Sequence, residues 1–297
     1  MRTIRAITGV ALLIILTVFI AGAAAAQTMW ARAEVDLKLV LAVDVSWSMD
    51  PDEQRLQRDG YVQAFRDPQV IKAIKSGPQG RIAITYIEWA GPNTHFVVKS
   101  WTMIDGAAAA DAFAAELAER EINRHRMTSI SSILEFSTRQ LEAAPFTAPR
   151  QVIDVSGDGP NNSGPGPINK VRDAVVERGI IINGLPIMLK SSNEYGFGWG
   201  QNLSDLDIYY TACVIGGPGS FVIPIRELSE FSTATRQKLL LEISDLVAPR
   251  QPRKLGSLVR RAQHKGPLPI AAPPGNGRAS YDCEIGEKNW RRNWDRF

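Results

Sequence analysis

Leu37-Lys38-Leu39-Val40-Leu41-Ala42-Val43-Asp44-Val45-Ser46-Trp47-Ser48 is the segment on which the fold turns. From Leu37 to Val43 every residue but Lys38 is apolar, and the run stops at a carboxylate followed by two hydroxyls. So short and continuous a run reads as a strand buried on both faces of a parallel sheet, where no solvated face calls for alternating polar residues. The polar residues after it then stand at the carboxyl end of the strand. That is where open α/β sheets hold their ligands.

The following elements alternate. Asp52 to Phe65 places Leu56, Tyr61, Val62 and Phe65 on one stripe and predicts a helix opened by Asp50 or Pro51. Arg81 to Trp89 and His95 to Trp101 predict two strands joined at Gly91-Pro92-Asn93, a local antiparallel hairpin. Helices are expected over about Gly106 to Glu121 and over Ser129 to Ala143, where Ile130, Ile133, Leu134 and Leu141 share a face. Gln151 to Ser156 is a further strand, stopped by Gly157-Asp158-Gly159. Ile168 to Arg178 predicts a helix, Ile180 to Pro186 a strand, Phe221 to Ile225 a last strand and Glu227 to Val247 a last long helix. Ser191 to Ser204, rich in Gly and Asn, reads as a surface loop. The fold class is therefore α/β: a Rossmann-like, open, mostly parallel sheet with helices on both faces.

Both ends differ in character from this middle. Arg2 and Arg5 precede an uncharged apolar run from Ala6 to Ala26, and Ala24-Ala25-Ala26 offers a small-x-small cleavage site. Residues 1–26 thus read as a signal peptide, and the mature chain as periplasmic or secreted. An uncleaved anchor, which would tie the protein to a membrane, is the competing reading, since about 20 apolar residues span a bilayer. After a domain expected over 35–248, residues 249–297 are Pro-rich and basic. From Arg250 onward, eleven Lys/Arg face four Asp/Glu, while the whole chain carries a net charge of only +3. Such a tail can touch anionic lipid, nucleic acid or peptidoglycan, but it is read here as a solvated, weakly ordered extension, with no nucleic-acid partner. Trp290 and Trp294 are its candidates for docking. Cys213 and Cys283 are the only cysteines, and in an oxidising compartment they can pair.

Three groups of oxygen-bearing residues fall at predicted strand ends or helix starts: Asp44, Ser46 and Ser48; Thr128 and Ser129; and Ser156 with Asp158. Each has a plain explanation. Asp44, Ser46 or Ser48 can cap the next helix, Thr128 can be an N-cap, and Asp158-Gly159 can be only a turn. Together, Asp44, Ser46, Ser48, Thr128 and Asp158 make a hard, all-oxygen set of the kind Mg²⁺ prefers, with positions left for water or an incoming carboxylate. Asp-x-Ser-x-Ser spacing lets alternate side chains of an extended turn point the same way. Asp154, four residues before Asp158, is a weaker candidate, because its place in a strand aims it at a helix.

In these motifs the sequence resembles a von Willebrand factor A (vWA) domain with its metal-ion-dependent adhesion site. Asp44, Ser46 and Ser48 match the Asp-x-Ser-x-Ser loop, Thr128-Ser129-Ile130-Ser131-Ser132-Ile133-Leu134 is similar to the family's Thr-containing helix start, and Asp158-Gly159 matches its Asp-Gly. More narrowly, Val43 to Asp50, Val152 to Asn162 and Val214 to Ile225 resemble the bacterial DUF1194 branch of that family. The resemblance covers about Leu37 to Val247. It implies a bound Mg²⁺ or Mn²⁺, with Ser46, Ser48 and Thr128 at or next to the metal and Asp44 and Asp158 binding it directly or through water. It also implies a partner protein whose Asp or Glu completes the coordination. The sequence departs from the pattern in two places: Trp47 stands where Gly is frequent, and His125-Arg126-Met127 stands where small residues precede the Thr.

The rival class is a metal-dependent, phosphoesterase-like hydrolase using Asp44 and Asp158, with His125 as a general base. Against it, His95, His125 and His264 lack metal-ligand spacing. Motifs for a zinc hydrolase, a nucleophile elbow, a phosphate-binding loop or an aspartyl-phosphate are absent. A scaffold of the same fold without metal is the third reading. An adhesion-type binding module, not an enzyme, is the expectation.

Overall fold

All eight residues of Leu37–Asp44 (β1) are buried, and alternate side chains feed two separate cores. Leu37, Leu39, Leu41 and Val43 pack with Tyr61, Phe65, Phe113 and Ile243, whereas Val40 and Ala42 pack with Ile130, Ile133, Leu134 and Tyr209. A strand that buries both faces needs helices on both sides, which is what the alternation of elements supplies. Each large side chain removed from water in this way contributes roughly 1.5–3 kcal/mol.

The computed structural model describes residues 32–189, 203–244, 270–271 and 281–294. The chain divides into two units, 1–34 and 35–297. In the first, the described residues include a two-residue strand, Ala33–Glu34. The signal-peptide reading of residues 1–26 and most of the loop read over Ser191 to Ser204 lie outside the described residues.

In the second unit the remaining strands of the main sheet are Ile82–Trp89 (β2), His95–Ile104 (β3), Arg150–Gly157 (β4), Ile181–Pro186 (β5), Phe221–Val222 (β6) and Ile270–Ala271 (β7). Their spatial order is β3-β2-β1-β4-β5-β6-β7; β3 and β7 run antiparallel to their neighbours and the rest are parallel. The hairpin expected around Gly91 is the β2–β3 pair. Beyond β3 the chain returns to the far side of β1, so the order of strands reverses between β1 and β4. In register, Asp44 pairs with Trp89, and Val43 with Ser156. Asp44 and the end of β4 thus flank the switch point, where such sheets open a crevice for ligands.

Helices Pro51–Arg66 (α1), Pro68–Lys75 (α2) and Ala107–Glu119 (α3) cover one face. Ile130–Ala143 (α4), Ile168–Glu177 (α5) and Leu206–Tyr209 (α6), which continues as a π-helical turn Tyr210–Val214, cover the other. Phe231–Ser244 (α7) packs beside α1 on the first face, and Ile285–Trp294 (α8) closes the described chain. α1 starts in a capping box: Asp50 accepts from the amides of Asp52 and Glu53, and Glu53 accepts from the amide of Asp50. Because the loop of Ser46 and Ser48 leads straight into this cap, Asp50→Ala is expected to cost about 1 kcal/mol, read by thermal denaturation as a fall of roughly 2–4 °C.

Three expectations are corrected. α2 is an additional helix, opened by the Asp67 cap and Pro68. The last strand of the apolar series is only Phe221–Val222, although Ile223 and Ile225 still donate to Gly184 and Pro186 of β5. The tail is not all an extension: Ile285–Trp294 is a helix, and a Cys213–Cys283 disulfide with Cα atoms 5.5 Å apart fastens its start to the π-helical turn.

Candidate metal centre

Asp44 ends β1 fully buried. Its Oδ1 accepts a 2.7 Å bond from the Ser46 amide, which folds the next residues back over the strand end. Ser46 Oγ lies 2.9 Å from Ser48 Oγ, and Ser48 Oγ donates to Asp158 Oδ1 at 2.6 Å. The Ser46 amide thus holds Asp44 while the Ser46 and Ser48 hydroxyls run on to Asp158, 110 residues of sequence being closed between Ser48 and Asp158. Thr128 is buried and its Oγ1 stands 4.0 Å from where a Cβ on Gly159 would lie. The structure therefore brings Asp44, Ser46, Ser48, Thr128 and Asp158 to one place.

Local chemistry sets each loop. None of the five residues is spent as a helix cap: Asp50 caps α1, and Ser129, accepting from the Ser132 amide at 3.3 Å, caps α4. The amide of Thr128 donates to Asn162 Oδ1 at 3.0 Å, and the amide of Asn162 donates to Thr128 O at 2.9 Å. Met127 just before it has φ 69°, a left-handed conformation that costs a non-glycine residue roughly 1–2 kcal/mol. The extended hydrogen bonds of Thr128 hold that strained turn in place.

Electrostatics favour a cation. Asp44 Oδ2 is buried without a hydrogen-bond partner. Burial first, and the charge of Asp158 second, push the Asp44 carboxyl well above the usual carboxylate range. An orphaned carboxylate oxygen facing a second carboxylate is what a divalent cation relieves. The donor set fits a hard cation, having oxygen donors only. Among the described residues no cluster of three or more His, Cys, Asp or Glu forms a competing site.

The family model described as protein of unknown function (DUF1194) matches residues 34–247, most of the chain. The chain belongs to the DUF1194 family. The likeness drawn from Val43 to Asp50, Val152 to Asn162 and Val214 to Ile225 is thus shown for that branch. No curated protein matches the DUF1194 chain in sequence. Among solved structures it is similar to the pilus adhesin SpaC from Lactobacillus rhamnosus GG at 13% identity and a TM-score of 0.51, over 72% of this chain and 31% of that one. It is also similar to a von Willebrand factor type A structure from Catenulispora acidiphila (15% identity, TM-score 0.45, 70% and 43% of the two chains). Proximal thread matrix protein 1 from the mussel byssus, solved with a zinc-occupied MIDAS motif, is similar at 13% identity and a TM-score of 0.47, over 70% and 46%. This chain spans less than half the length of each of the three, and the likeness to the pilus adhesin is one of fold.

In the DUF1194 chain several residues of the site carried no signal in the sequence. Gly157 is one: a Cβ there would lie 2.7 Å from Asp44 Oδ2 and 3.0 Å from Tyr210 Oη, so only glycine lets β4 pass this close. Tyr210 is another, its buried hydroxyl brought toward Asp44 by the π-helical turn. Asn161 and Asn162 are two more. A π-helical turn and a pair of loop asparagines have no sequence pattern of their own, although the Asn-rich loop after Asp158 marks where to look.

The remaining candidates go elsewhere. Trp47 is half-exposed and lies under the Arg126 guanidinium, 4.4 Å from the ring centroid, so it forms the rim of the site. Asp154 points away from the site and pairs with Lys238 at 2.5 Å. The His125 ring lies 5.1 Å from Phe96 and the His95 ring 4.6 Å from Phe136, while His264 lies outside the described residues.

Proposed function

We propose that this chain is an exported, metal-dependent protein-binding module of the adhesion type. Asp44, Ser46, Ser48, Thr128 and Asp158 would hold Mg²⁺ or Mn²⁺, and an Asp or Glu of a partner protein would complete the coordination. The observation that carries this reading is the hydrogen-bonded convergence of Ser46, Ser48 and Asp158 beside a buried, unpartnered oxygen of Asp44 at the sheet's switch point. A bound divalent cation there supplies positive charge and an open coordination position for a carboxylate. The protein's own part is to hold the oxygens in place: the Ser46 amide orients Asp44, Ser48 orients Asp158, and Asn162 fixes Thr128. Trp47 and Arg126 stand at the rim, where a partner would meet them. Export is supported by the N-terminal apolar run ending in Ala24-Ala25-Ala26 and by the Cys213–Cys283 bond, which suits an oxidising compartment. The proposal rests on the site rather than on the adhesin that shares the fold.

Calorimetric titration of Mg²⁺ and Mn²⁺ into the purified protein tests it. The parent should bind saturably, and the Ser46→Ala/Ser48→Ala variant should bind at least ~10-fold more weakly, the usual scale when groups around a metal are lost. Equal binding by the two proteins would show that these hydroxyls do not serve the metal.

A further inference from the structure

α8 lies outside residues 34–247, the part matched by the family, yet it touches the loop that carries Asp158. Asn161, fully buried three residues after Asp158, is the point of contact. Its Oδ1 accepts from the Ser131 amide at 2.9 Å, in the first turn of α4 beside Thr128. Its own amide donates to Tyr209 Oη at 3.0 Å. Its Nδ2 donates to Glu287 Oε1 of α8 at 2.6 Å. With Asn162 bonded to both the amide and the carbonyl of Thr128, this pair of asparagines zips the Asp158 loop to the Thr128 loop. Glu287 is the group that fixes the orientation of the Asn161 amide from the outside.

The contact is close enough to be specific. A Cβ on Gly286 would fall 2.0 Å from Asn161 O, so the backbone of α8 rests directly on this loop. A ten-residue helix is marginal by itself, and α8 is held by attachments. These are the Cys213–Cys283 disulfide, a 2.8 Å bond from Tyr281 Oη to Asp205, and the Tyr281 ring 6.0 Å from Tyr209. A cleft of about 330 Å³ lies between α8 and residues Asn162 to Pro167, giving that loop space to relax once the helix leaves.

We propose that α8 is a disulfide-fastened strap for the metal loops, with Glu287 the positioning residue that acts through Asn161, so that the site reaches full affinity only when Cys213 and Cys283 are joined. This rests on the metal-binding reading above. Joining them removes two electrons and two protons from the thiols by exchange with the disulfide of an oxidant. A dithiol such as dithiothreitol returns them and leaves as its own cyclic disulfide. Before export the thiols are reduced and the module is held at low affinity; after oxidation the strap closes.

The test combines Mg²⁺ calorimetry with amide hydrogen exchange on the purified protein, oxidised and reduced, and on Cys213→Ser/Cys283→Ser, Glu287→Ala and Glu287→Gln. Reduction, the cysteine variant and Glu287→Ala should each weaken Mg²⁺ binding by ~10-fold or more, while Glu287→Gln, which keeps an acceptor for Asn161, should stay within ~3-fold of the parent. Exchange at Thr128 and Ser131 should rise by ~10-fold with strand β1 unchanged. Unaltered exchange and affinity in a cysteine variant whose α8 amides exchange freely would overturn the strap, as would equal losses in Glu287→Ala and Glu287→Gln. Should the cysteine variant lose protection in β1, the two Glu287 variants decide. Should the parent bind no Mg²⁺, the metal reading fails, and exchange at Thr128 and Ser131 decides the strap alone.

Discussion

Replacing Asp44 by Asn should abolish divalent-cation binding while leaving the metal-free protein at least as heat-stable as the parent. Ordinarily a buried hydrogen-bonded carboxylate is costly to remove. Here one oxygen, Oδ1, is used by the Ser46 amide, and an Asn carbonyl can take that bond over. The other, Oδ2, has no hydrogen-bond partner and faces the charge of Asp158. Neutralising it removes burial of a charge and a like-charge repulsion, the two causes that hold the Asp44 carboxyl above its ordinary range. The same change removes the only carboxylate that β1 gives the site. Thermal denaturation with and without 5 mM Mg²⁺ separates the outcomes. At ~100-fold saturation a ligand bound only by the native state stabilises it by about 2.7 kcal/mol, or roughly 5–10 °C for a domain of this size. The parent should show that rise and Asp44→Asn should not. An equal rise in both would mean that Asp44 is no ligand. A metal-free Asp44→Asn that melts far below the parent would make the carboxylate structural instead.

What the sequence made legible follows from which interactions are local. β1, β2, β4 and β5 announce themselves because a strand covered on both faces is rich in apolar residues without the alternation of a half-solvated strand. The order of these strands with their helices also gives the parallel sheet and its switch point. The five candidate oxygen donors could be singled out because their types and spacing survive without coordinates. What stayed hidden depends on pairing across long stretches of chain. Asn161 looks like any polar loop residue until Ser131, Tyr209 and Glu287 close on it from 30, 48 and 126 residues away. The composition of the tail predicts a solvated extension, and for α8 that prediction fails because a covalent bond and a buried asparagine hold what propensity would not. Cys283 was the signal present, since one of two cysteines in an otherwise polar tail implies a tether once it pairs. Trp47, which stands between Ser46 and Ser48 where the resembled family often has Gly, is half-exposed with its ring under the Arg126 guanidinium.

α7 carries the second large effect, and its sequence conceals it. Lys238 and Glu242 fall on the face that packs against the sheet, which blurs the apolar stripe of the helix. Lys238 Nζ lies 2.5 Å from Asp154 and 2.7 Å from Glu242, all three fully buried. Tyr61 Oη, 3.4 Å from Asp154, and Asn183 Nδ2, 3.0 Å from Glu242, are the other polar groups facing them, and Arg150 bonds the Glu242 carbonyl. One cation thus serves two carboxylates. Lys238→Met, close in shape, would leave both without it, and stripping one partner from a buried ion pair costs roughly 3–5 kcal/mol. For a domain of this size that is a fall of roughly 10 °C in the thermal midpoint. The loss should depend on pH in a defined direction. Burial pushes the Asp154 carboxyl up to about 7, with Lys238 opposing the rise and Glu242 adding to it. The folded state therefore holds a proton that the unfolded state releases near its ordinary value of about 4. The stabilisation from that proton is full below pH ~4 and is lost as pH rises through about 7. Without Lys238 the main opposition to the rise is gone and only the Tyr61 hydroxyl remains against it, so the deficit of Lys238→Met against the parent should be small at pH 5 and largest at pH 8. Replacing all three by apolar residues, Asp154→Leu/Lys238→Met/Glu242→Leu, should recover most of it, because no buried charge is left behind. Urea denaturation at pH 5 and pH 8 checks both signs. A deficit equal at the two pH values would mean that the carboxylates keep their charge without Lys238, and a triple variant no better than Lys238→Met would locate the cost in packing.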